Sequence, residues 1–435
     1  MISAAPTGRS GVRRSEPWDA AICTTSFCQK CRAPIDAVLF EEAGDVRMRK
    51  TCPRCGESET LFFKDAGLFR KLDAFHPTRN LAPAANYAFD WTPYRPLCTT
   101  LAVDVTSRCN FRCPDCFSAA GSGGDDPRVE EILSWLPRLS AQDRRPNISL
   151  VGGESATRGD LPEIIRGIVA AGITPRLNSN GLLLDDESLL RRFRAAGLRW
   201  VILQFDGFSR AVSRRFRGED HVDLKQRVID KLGRQGFLIH LAVMVESRQN
   251  DAEMAEILRF SLGTPAVRRV SFFPRAQVGR GRSEGRTHLA DLLAALGAGS
   301  DGQVTADDLL AFKRVFQILH QLTGHPQFLN RRCQTPFLVT AQKNTLIPIN
   351  RLPSRPDQWV RFARSWRDLY RVDRGRGPGN VMPVNIEALY DTESFDLTAA
   401  RNCHHVYMTP RGYVPFCIYN SLVRETGVSA EAHAK

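Results

Sequence analysis

The stretch VTSRCNFRCPDCFSAAG, residues 105–121, places Cys109, Cys113 and Cys116 within eight positions. Three thiolates leave a tetrahedral metal ion one ligand short, and three is an odd number for disulfides. A four-iron cluster, each of whose irons wants a ligand, would keep one iron open on such a trio. An open iron can take a small molecule through nitrogen and oxygen. A zinc site completed by a ligand from elsewhere would use the same three sulfurs.

Working outward, the trio follows a strand-like run, CTTLAVDVTS, and precedes RVEEILSWL, whose Val129, Ile132, Leu133 and Leu136 form a helical stripe. Further strands are expected in NISLVGGE, TPRLNSNG, RWVILQFDG, FLIHLAVMVE and VRRVSFFPR, with helices near 186–196, 222–233 and 251–261. In DLPEIIRGIVAAG, Leu161, Ile164, Ile165 and Ile168 share one face, with Asp160 placed to cap the start and Gly172 the end. Six strand–helix units in series predict an α/β fold, a full or partial barrel of parallel strands, over residues 97–280. Barrel chemistry sits at the C-terminal ends of the strands. The cysteine trio, Gly152-Gly153-Glu154, Asn178-Ser179-Asn180-Gly181, Gln204-Phe205-Asp206-Gly207, and Arg275 with Gln277 all fall at such ends. Singly these are ordinary turn chemistry; their convergence marks a site.

The 435-residue chain is long enough for two or three domains and contains no run of eighteen apolar residues. Its start has no apolar stretch of the secretory kind, so residues 1–20 are expected to be a disordered tail and the protein cytoplasmic. The net charge of +13 is carried largely by arginines in expected helices, such as LLRRFRAAGLR and SRRFRG, where a solvated surface accounts for them. Twelve cysteines without a secretory signal argue for metal binding over disulfides. Two C-x2-C pairs, Cys28/Cys31 and Cys52/Cys55, supply the four thiolates of a closed structural site, zinc or rubredoxin-type iron, in a knuckle over residues 21–70. Between the pairs a β-hairpin is expected around Ala43-Gly44.

The succession CNFRCPDC, GGE and NSNG after the first three barrel strands resembles the radical S-adenosylmethionine (SAM) superfamily. The resemblance implies a partial (β/α)6 barrel and a [4Fe–4S] cluster on Cys109, Cys113 and Cys116. SAM would sit on the open iron and be cleaved reductively to a 5′-deoxyadenosyl radical that abstracts hydrogen from an unactivated carbon. It implies that Gly152 and Gly153 let the backbone approach the methionine moiety, that Glu154 accepts from its ammonium, that Asn178 and Asn180 serve ribose or carboxylate, and that Asp206 serves the ribose. The aromatic residue usual before the last cysteine is replaced by Asp115, so Phe117 is the expected adenine contact. A flavodoxin or ferredoxin is the implied electron donor.

Over residues 23–425 the order of CQKCRAPIDAVLFEEAGDVRMRKTCPRCGE, the trio, GGESATRGDLPEII, RRCQTPFLVTAQKNTLIPINR and CHHVYMTPRGYVPFCIYN is similar to the branch containing archaeal tetraether lipid synthase. That branch implies auxiliary clusters, a lipid-like substrate, carbon–carbon bond formation or oxidation, and contact with a membrane surface. One auxiliary motif is missing, because NYAFDWTPYRPL has no cysteine. Cys98, Cys333, Cys403 and Cys417 remain, enough for one auxiliary [4Fe–4S] cluster in a C-terminal domain over 311–435, after a linker at 281–310. His404, His405 or a substrate could replace Cys98, and each thiol alone could be a core residue. Tyr407, Tyr413 and Tyr419 are candidates for ending a substrate radical. The alternatives are a radical SAM methyltransferase or peptide-modifying enzyme and, from another class, a zinc-ribbon nucleic-acid binder. The last lacks the interleaved aromatic and basic strand pattern of a single-strand platform, so no nucleic acid is expected.

Overall fold

The structure, a computed structural model, describes residues 21–74, 100–121, 123, 126–136, 147–281, 286–323, 333–349, 381–391, 393–400, 403–410 and 412–424. The expected N-terminal tail and Cys98 lie outside the described residues.

Four antiparallel strands, β1 (Ile22–Phe27), β2 (Pro34–Glu42), β3 (Asp45–Cys52) and β4 (Gly56–Phe63), form a small sheet in sequence order. The β2–β3 hairpin turns at Ala43-Gly44 as expected, and both residues have positive φ, the twist-matched geometry of a two-residue hairpin loop. A helix at Ala66–Asp73 follows, its start capped by Asp65, whose carboxylate accepts from the Leu68 amide.

The main sheet has eleven strands. In chain order they are β5 (Thr100–Thr106), β6 (Asn147–Gly152), β7 (Pro175–Ser179), β8 (Trp200–Gln204), β9 (Leu238–Val245), β10 (Val267–Pro274), β11 (Gln334–Gln342), β12 (Thr345–Pro348), β13 (Met382–Glu387), β14 (His405–Thr409) and β15 (Gly412–Pro415). Their spatial order is β12-β11-β13-β10-β9-β8-β7-β6-β5-β14-β15. β5 to β10 are parallel and are the six strands expected from sequence. β13 adds in parallel beside β10, and β14 adds in parallel beside β5.

Alternation along each strand separates two faces. Leu101, Val103 and Val105, Ile239, Leu241 and Val243, and Val384 and Ile386 enter one continuous apolar core beneath the helices. Their neighbours, among them Ala102, Asp104, His240, Ser271, Asn385, Glu387 and Tyr407, face the barrel interior. The sheet curls until its flanks meet through side chains: Glu387 Oε2 lies 3.7 Å from His405 Nδ1, and Gln334 Nε2 lies 3.5 Å from His405 Nε2.

Three expectations change. The C-terminal region is no separate unit, since β13 and β14 extend the barrel sheet itself. The expected linker at 281–310 contains a helix, Leu289–Gly299, that buries Leu289, Leu292, Leu293 and Leu296; this i, i+3, i+4, i+7 stripe holds it to the core. Asp160 stands at the start of the helix Leu161–Ala170 without capping it, because Arg158 takes both its oxygens at 2.8 and 2.7 Å.

The small sheet packs on the C-terminal segment. Phe27 meets Phe395 edge-on at 5.3 Å, Thr24 donates to Asp396 at 2.8 Å, and Arg32 donates to the Ser421 carbonyl at 2.9 Å.

Candidate active site

The four ribbon cysteines come together as the spacing required. The sulfurs of Cys28, Cys31, Cys52 and Cys55 all lie within 4.8 Å of one another. Metal–sulfur bonds of about 2.3 Å in a tetrahedron place sulfurs about 3.8 Å apart, and Cys31 and Cys52 stand 3.7 Å apart. The Ala33 amide stabilises the Cys31 thiolate and lowers that thiol to about 6, while hydrogen bonding to Cys31 pushes Cys55 up to about 12, so the four sulfurs act on one another's protons. Cys23, outside this set, is exposed.

Cys109, Cys113 and Cys116 lie on the loop leaving β5. Among the described residues their sulfurs are not drawn into the 4.8 Å span that encloses the ribbon set. Cys113 and Cys116 both act electrostatically on the Cys109 thiol, so the three sulfurs share one locale, and three thiolates are the donor set the expected cluster takes.

The glycine pair packs against the cysteine loop. A Cβ on Gly152 would lie 2.2 Å from the Thr106 carbonyl oxygen, and one on Gly153 would lie 2.0 Å from that of Arg108. The missing side chains face the cysteine loop, so the two glycines let that loop pass close to the end of β6. The amides of Gly153 and Glu154 donate to the Thr106 and Arg108 carbonyls at 2.7 and 2.8 Å, and Ser118 Oγ donates to the Gly152 carbonyl at 2.8 Å. On the other side, Gly279 passes equally close to the Cys116 and Phe117 carbonyls, while Arg280 donates to the carbonyls of Cys113 and Ala120. The loop is held between the ends of β6 and β10.

Glu154 is buried behind the trio. Its oxygens accept from the Ala156 amide at 3.1 Å and the Asn180 amide at 2.6 Å, and burial raises its carboxyl pKa. Asn180 also reaches Asn110 at 2.7 Å and approaches Cys109 Sγ at 3.9 Å. Asn178 turns its amide to the Leu150 carbonyl, at 3.3 Å, and so ties β7 to β6. Asp206 does not stand open for a ribose: Arg217 takes both its oxygens at 2.6 and 2.7 Å, with only 12% and 5% of the two side chains exposed. Arg217 also hydrogen-bonds Cys113, which lowers that thiol against the larger effect of burial raising it. Phe117 is exposed, and its ring lies 6.2 Å from that of Phe416.

Asp115 explains the missing aromatic. It forms a buried ion pair with Arg275 at 2.5 Å, and Arg275 also reaches Glu246 at 3.2 Å. Gln277 contributes its backbone amide, which donates to Asp391 at 3.1 Å.

Sequence reasoning missed Arg217, Lys225 and Arg280. Arg217 lies in an arginine-rich helix, Arg210–Arg217, whose charges otherwise signal a surface. Lys225 carried a legible signal, because it falls on the buried stripe Val222, Lys225, Val228, Ile229 and Leu232. Its ammonium donates to the Asn180 carbonyl and to the Gln204 carbonyl and side chain, the last two at 2.9 and 2.7 Å. Burial pushes it down to about 7.

Cys333, Cys403 and Cys417 converge in the fold although they are far apart in sequence. Burial raises all three thiols, and the other two thiols raise Cys333 further. Phe416, beside Cys417, meets Phe117, beside Cys116, so an aromatic pair links the two trios. Tyr407 and Tyr419 stack at 4.0 Å in the interior, where Asp104 accepts from Tyr419 at 2.9 Å. Tyr413 belongs to the outer apolar core. Among the described residues no helix is long and apolar enough to cross a membrane.

Residues 103–261 match the Radical SAM superfamily, and residues 23–64 match the HMPTM N-terminal zinc ribbon domain. The chain is 31% identical to 7,8-dihydro-6-hydroxymethylpterin dimethyltransferase of Methanocaldococcus jannaschii, over 75% of this chain and 70% of that protein. It is 28% identical to a probable GTP 3′,8-cyclase of Pyrococcus abyssi, over 38% of this chain and 54% of that protein. Among solved structures, Streptococcus suis SuiB bound to S-adenosylmethionine aligns with a TM-score of 0.41 at 17% identity, over 48% of each chain.

Proposed function

Because this chain belongs to the radical SAM superfamily, whose enzymes use a [4Fe–4S] cluster and SAM, we propose that it is a methyltransferase of a reduced pterin or a closely similar amino-heterocycle. The observation that carries the reading is the relationship to the pterin dimethyltransferase across most of both chains, zinc ribbon included.

Cys109, Cys113 and Cys116 would hold the cluster, and SAM would take its open iron. When bound, the two supply one-electron reductive cleavage of SAM to an organic radical. The chain's own residues position this pair. Glu154, fixed by two amides, keeps lone pairs for an ammonium, and Asn180 couples the β7 end to the trio loop. The Arg217–Asp206 pair sets a buried cation against Cys113. Cys333, Cys403 and Cys417 would hold an auxiliary cluster near the first, with a fourth ligand from Cys98 or from the substrate.

The lipid-like substrate expected from sequence suits the interior less well. Asp104, His240, Ser271, Asn385, Glu387 and His405 line it, and an apolar chain would leave their polar atoms without partners. The resemblance to the tetraether branch is therefore narrowed to the superfamily and its zinc-ribbon members.

The test is anaerobic incubation of the reconstituted protein with SAM, dithionite and 7,8-dihydro-6-hydroxymethylpterin, followed by mass spectrometry. Methylated pterin with S-adenosylhomocysteine and 5′-deoxyadenosine supports the proposal. SAM cleavage with native lipid extract as the only modified acceptor overturns it.

A further inference from the structure

The zinc ribbon and the second cysteine trio are built on one small core. Phe27, Leu39 and Met48 of the ribbon meet Phe395, Ile418 and Leu422 of the C-terminal segment in an apolar cluster of their own, and Cys333 and Cys417 pack against it. Cys403 follows the turn Leu397–Ala400, whose leucine and final alanine enter the same cluster.

Polar ties cross this seam and end behind the cysteines. Thr24 donates to Asp396 at 2.8 Å. Asp396 accepts in turn from the Ala399 amide at 3.1 Å, and the Ala400 carbonyl accepts from the Cys403 amide at 3.0 Å. Arg32 donates to the Ser421 carbonyl at 2.9 Å. Ser421 lies in the π turn Tyr419–Val423, directly after the helical turn Phe416–Ile418 that carries Cys417. Its hydroxyl donates to the Tyr390 carbonyl at 3.2 Å, and the Tyr390 amide hydrogen-bonds the Cys417 thiol. π turns are rare and recur at functional sites, so a tie reaching this one from another sheet calls for a reason.

The Arg32 tie starts at the metal site itself. Arg32 directly follows Cys31, and the chain folds back so that the Arg32 amide donates to the Cys28 carbonyl and the Cys28 amide to the Ala33 carbonyl, each at 2.9 Å. Arg32 is thereby held at a φ of 59°, left-handed backbone that a residue with a side chain keeps only when its surroundings impose it. Cys28 and Cys31 bound to one ion close this turn, and an empty site releases it. A released turn carries the guanidinium away from Ser421.

Taking Cys333, Cys403 and Cys417 to hold an auxiliary cluster, as proposed above, we infer that the ribbon metal governs that cluster. Arg32 is the positioning residue: it transmits the shape of the Cys28–Cys31 turn to the π turn behind Cys417, so the auxiliary cluster assembles on a metal-filled ribbon and not on an empty one.

The test is anaerobic reconstitution of the full chain, with bound metals counted and the dithionite-reduced clusters read by electron paramagnetic resonance. The SAM cluster's signal changes when SAM is added and the auxiliary signal does not. Wild type should carry about eight cluster irons, those of two four-iron clusters. Arg32→Asn suits the left-handed backbone but has no guanidinium. It should keep the ribbon metal and the SAM-responsive signal, lose the SAM-insensitive one, and retain about four cluster irons. Arg32→Lys, which restores a cationic donor, should recover the missing signal. Cys55→Ser, which empties the ribbon, should give the same loss, and combining it with Arg32→Asn should add nothing, as two changes on one path require. Should Cys55→Ser fail to fold, Arg32→Asn with its lysine rescue decides alone. Both signals at wild-type strength in Arg32→Asn overturn the inference and leave the auxiliary cluster standing. Equal weakening of both signals overturns it too, because Arg32 would then act on the whole fold. A wild type with only the SAM-responsive signal overturns the auxiliary-cluster reading, and the inference with it.

Discussion

Gly153 and Arg108 share one small volume: a Cβ on the glycine would sit 2.0 Å from the arginine's carbonyl oxygen. The Glu154 amide donates to that same carbonyl at 2.8 Å. The end of β6 therefore acts as the mould for the loop that carries the cysteine trio. Gly153→Ala must push the loop away, and overpacking of this kind costs about 1–3 kcal/mol. The variant should fold and keep the ribbon metal, yet reconstitute with less iron and weaker cluster absorption. A wild-type iron content would show that the contact does not shape the trio.

Arg217 and Asp206 form a bidentate pair with almost no water around it. Breaking a buried pair from one side leaves an uncompensated charge and costs about 3–5 kcal/mol. Asp206→Asn should lower the chemical denaturation midpoint accordingly. Adding Arg217→Gln should restore part of the loss, which a double-mutant cycle reads out directly.

Lys225 gives a pH dependence with a definite sign. Its proton is held more weakly in the fold, at about 7, than at the ordinary lysine value of 10.5. Folding therefore releases a proton between these values, and stability rises with pH across that window. Below about 7 both states are protonated and the burial penalty is complete. Lys225→Met removes this slope. The stability of wild type relative to Lys225→Met should climb from about pH 7 toward pH 10.5 in anaerobic denaturation series; a flat difference would contradict the assignment.

The ribbon should depend on its metal for its fold, as small metal-knotted domains do. Chelation, or Cys55→Ser, should remove one metal equivalent and open residues 21–74 to proteolysis. The barrel core, to which residues 21–74 contribute only Leu68 and Leu72 with Phe63 packed against them, should keep most of its protection. Loss of the contacts from Thr24 and Arg32 should also loosen the segment around Asp396 and Ser421.

Much of the architecture was legible because local patterns carry it. The helix Leu161–Ala170 buries the very stripe that marked it, and six apolar runs became six parallel strands. The donor sets of the ribbon and of the trio were legible too, since two or three ligands on one turn have their geometry set by short-range spacing. Contacts between distant segments were not. Asp115 departs from the expected aromatic because Arg275, 160 positions away, pairs with it. Nor was the packing of Gly152 and Gly153 against the Thr106 and Arg108 carbonyls.

The sequence by itself determined which chemistry is available: four thiols for a closed ion, three for an open cluster, and a barrel to present them. Only the tertiary structure decided what surrounds that chemistry. Glu387, Ser271, His240, His405 and Gln334 carry no shared motif, and they meet because curling of the sheet brings β13, β11 and β14 together. Spacing along a chain fixes a turn, but closure of a barrel is a property of all its strands at once, and the lining of the interior follows from that closure.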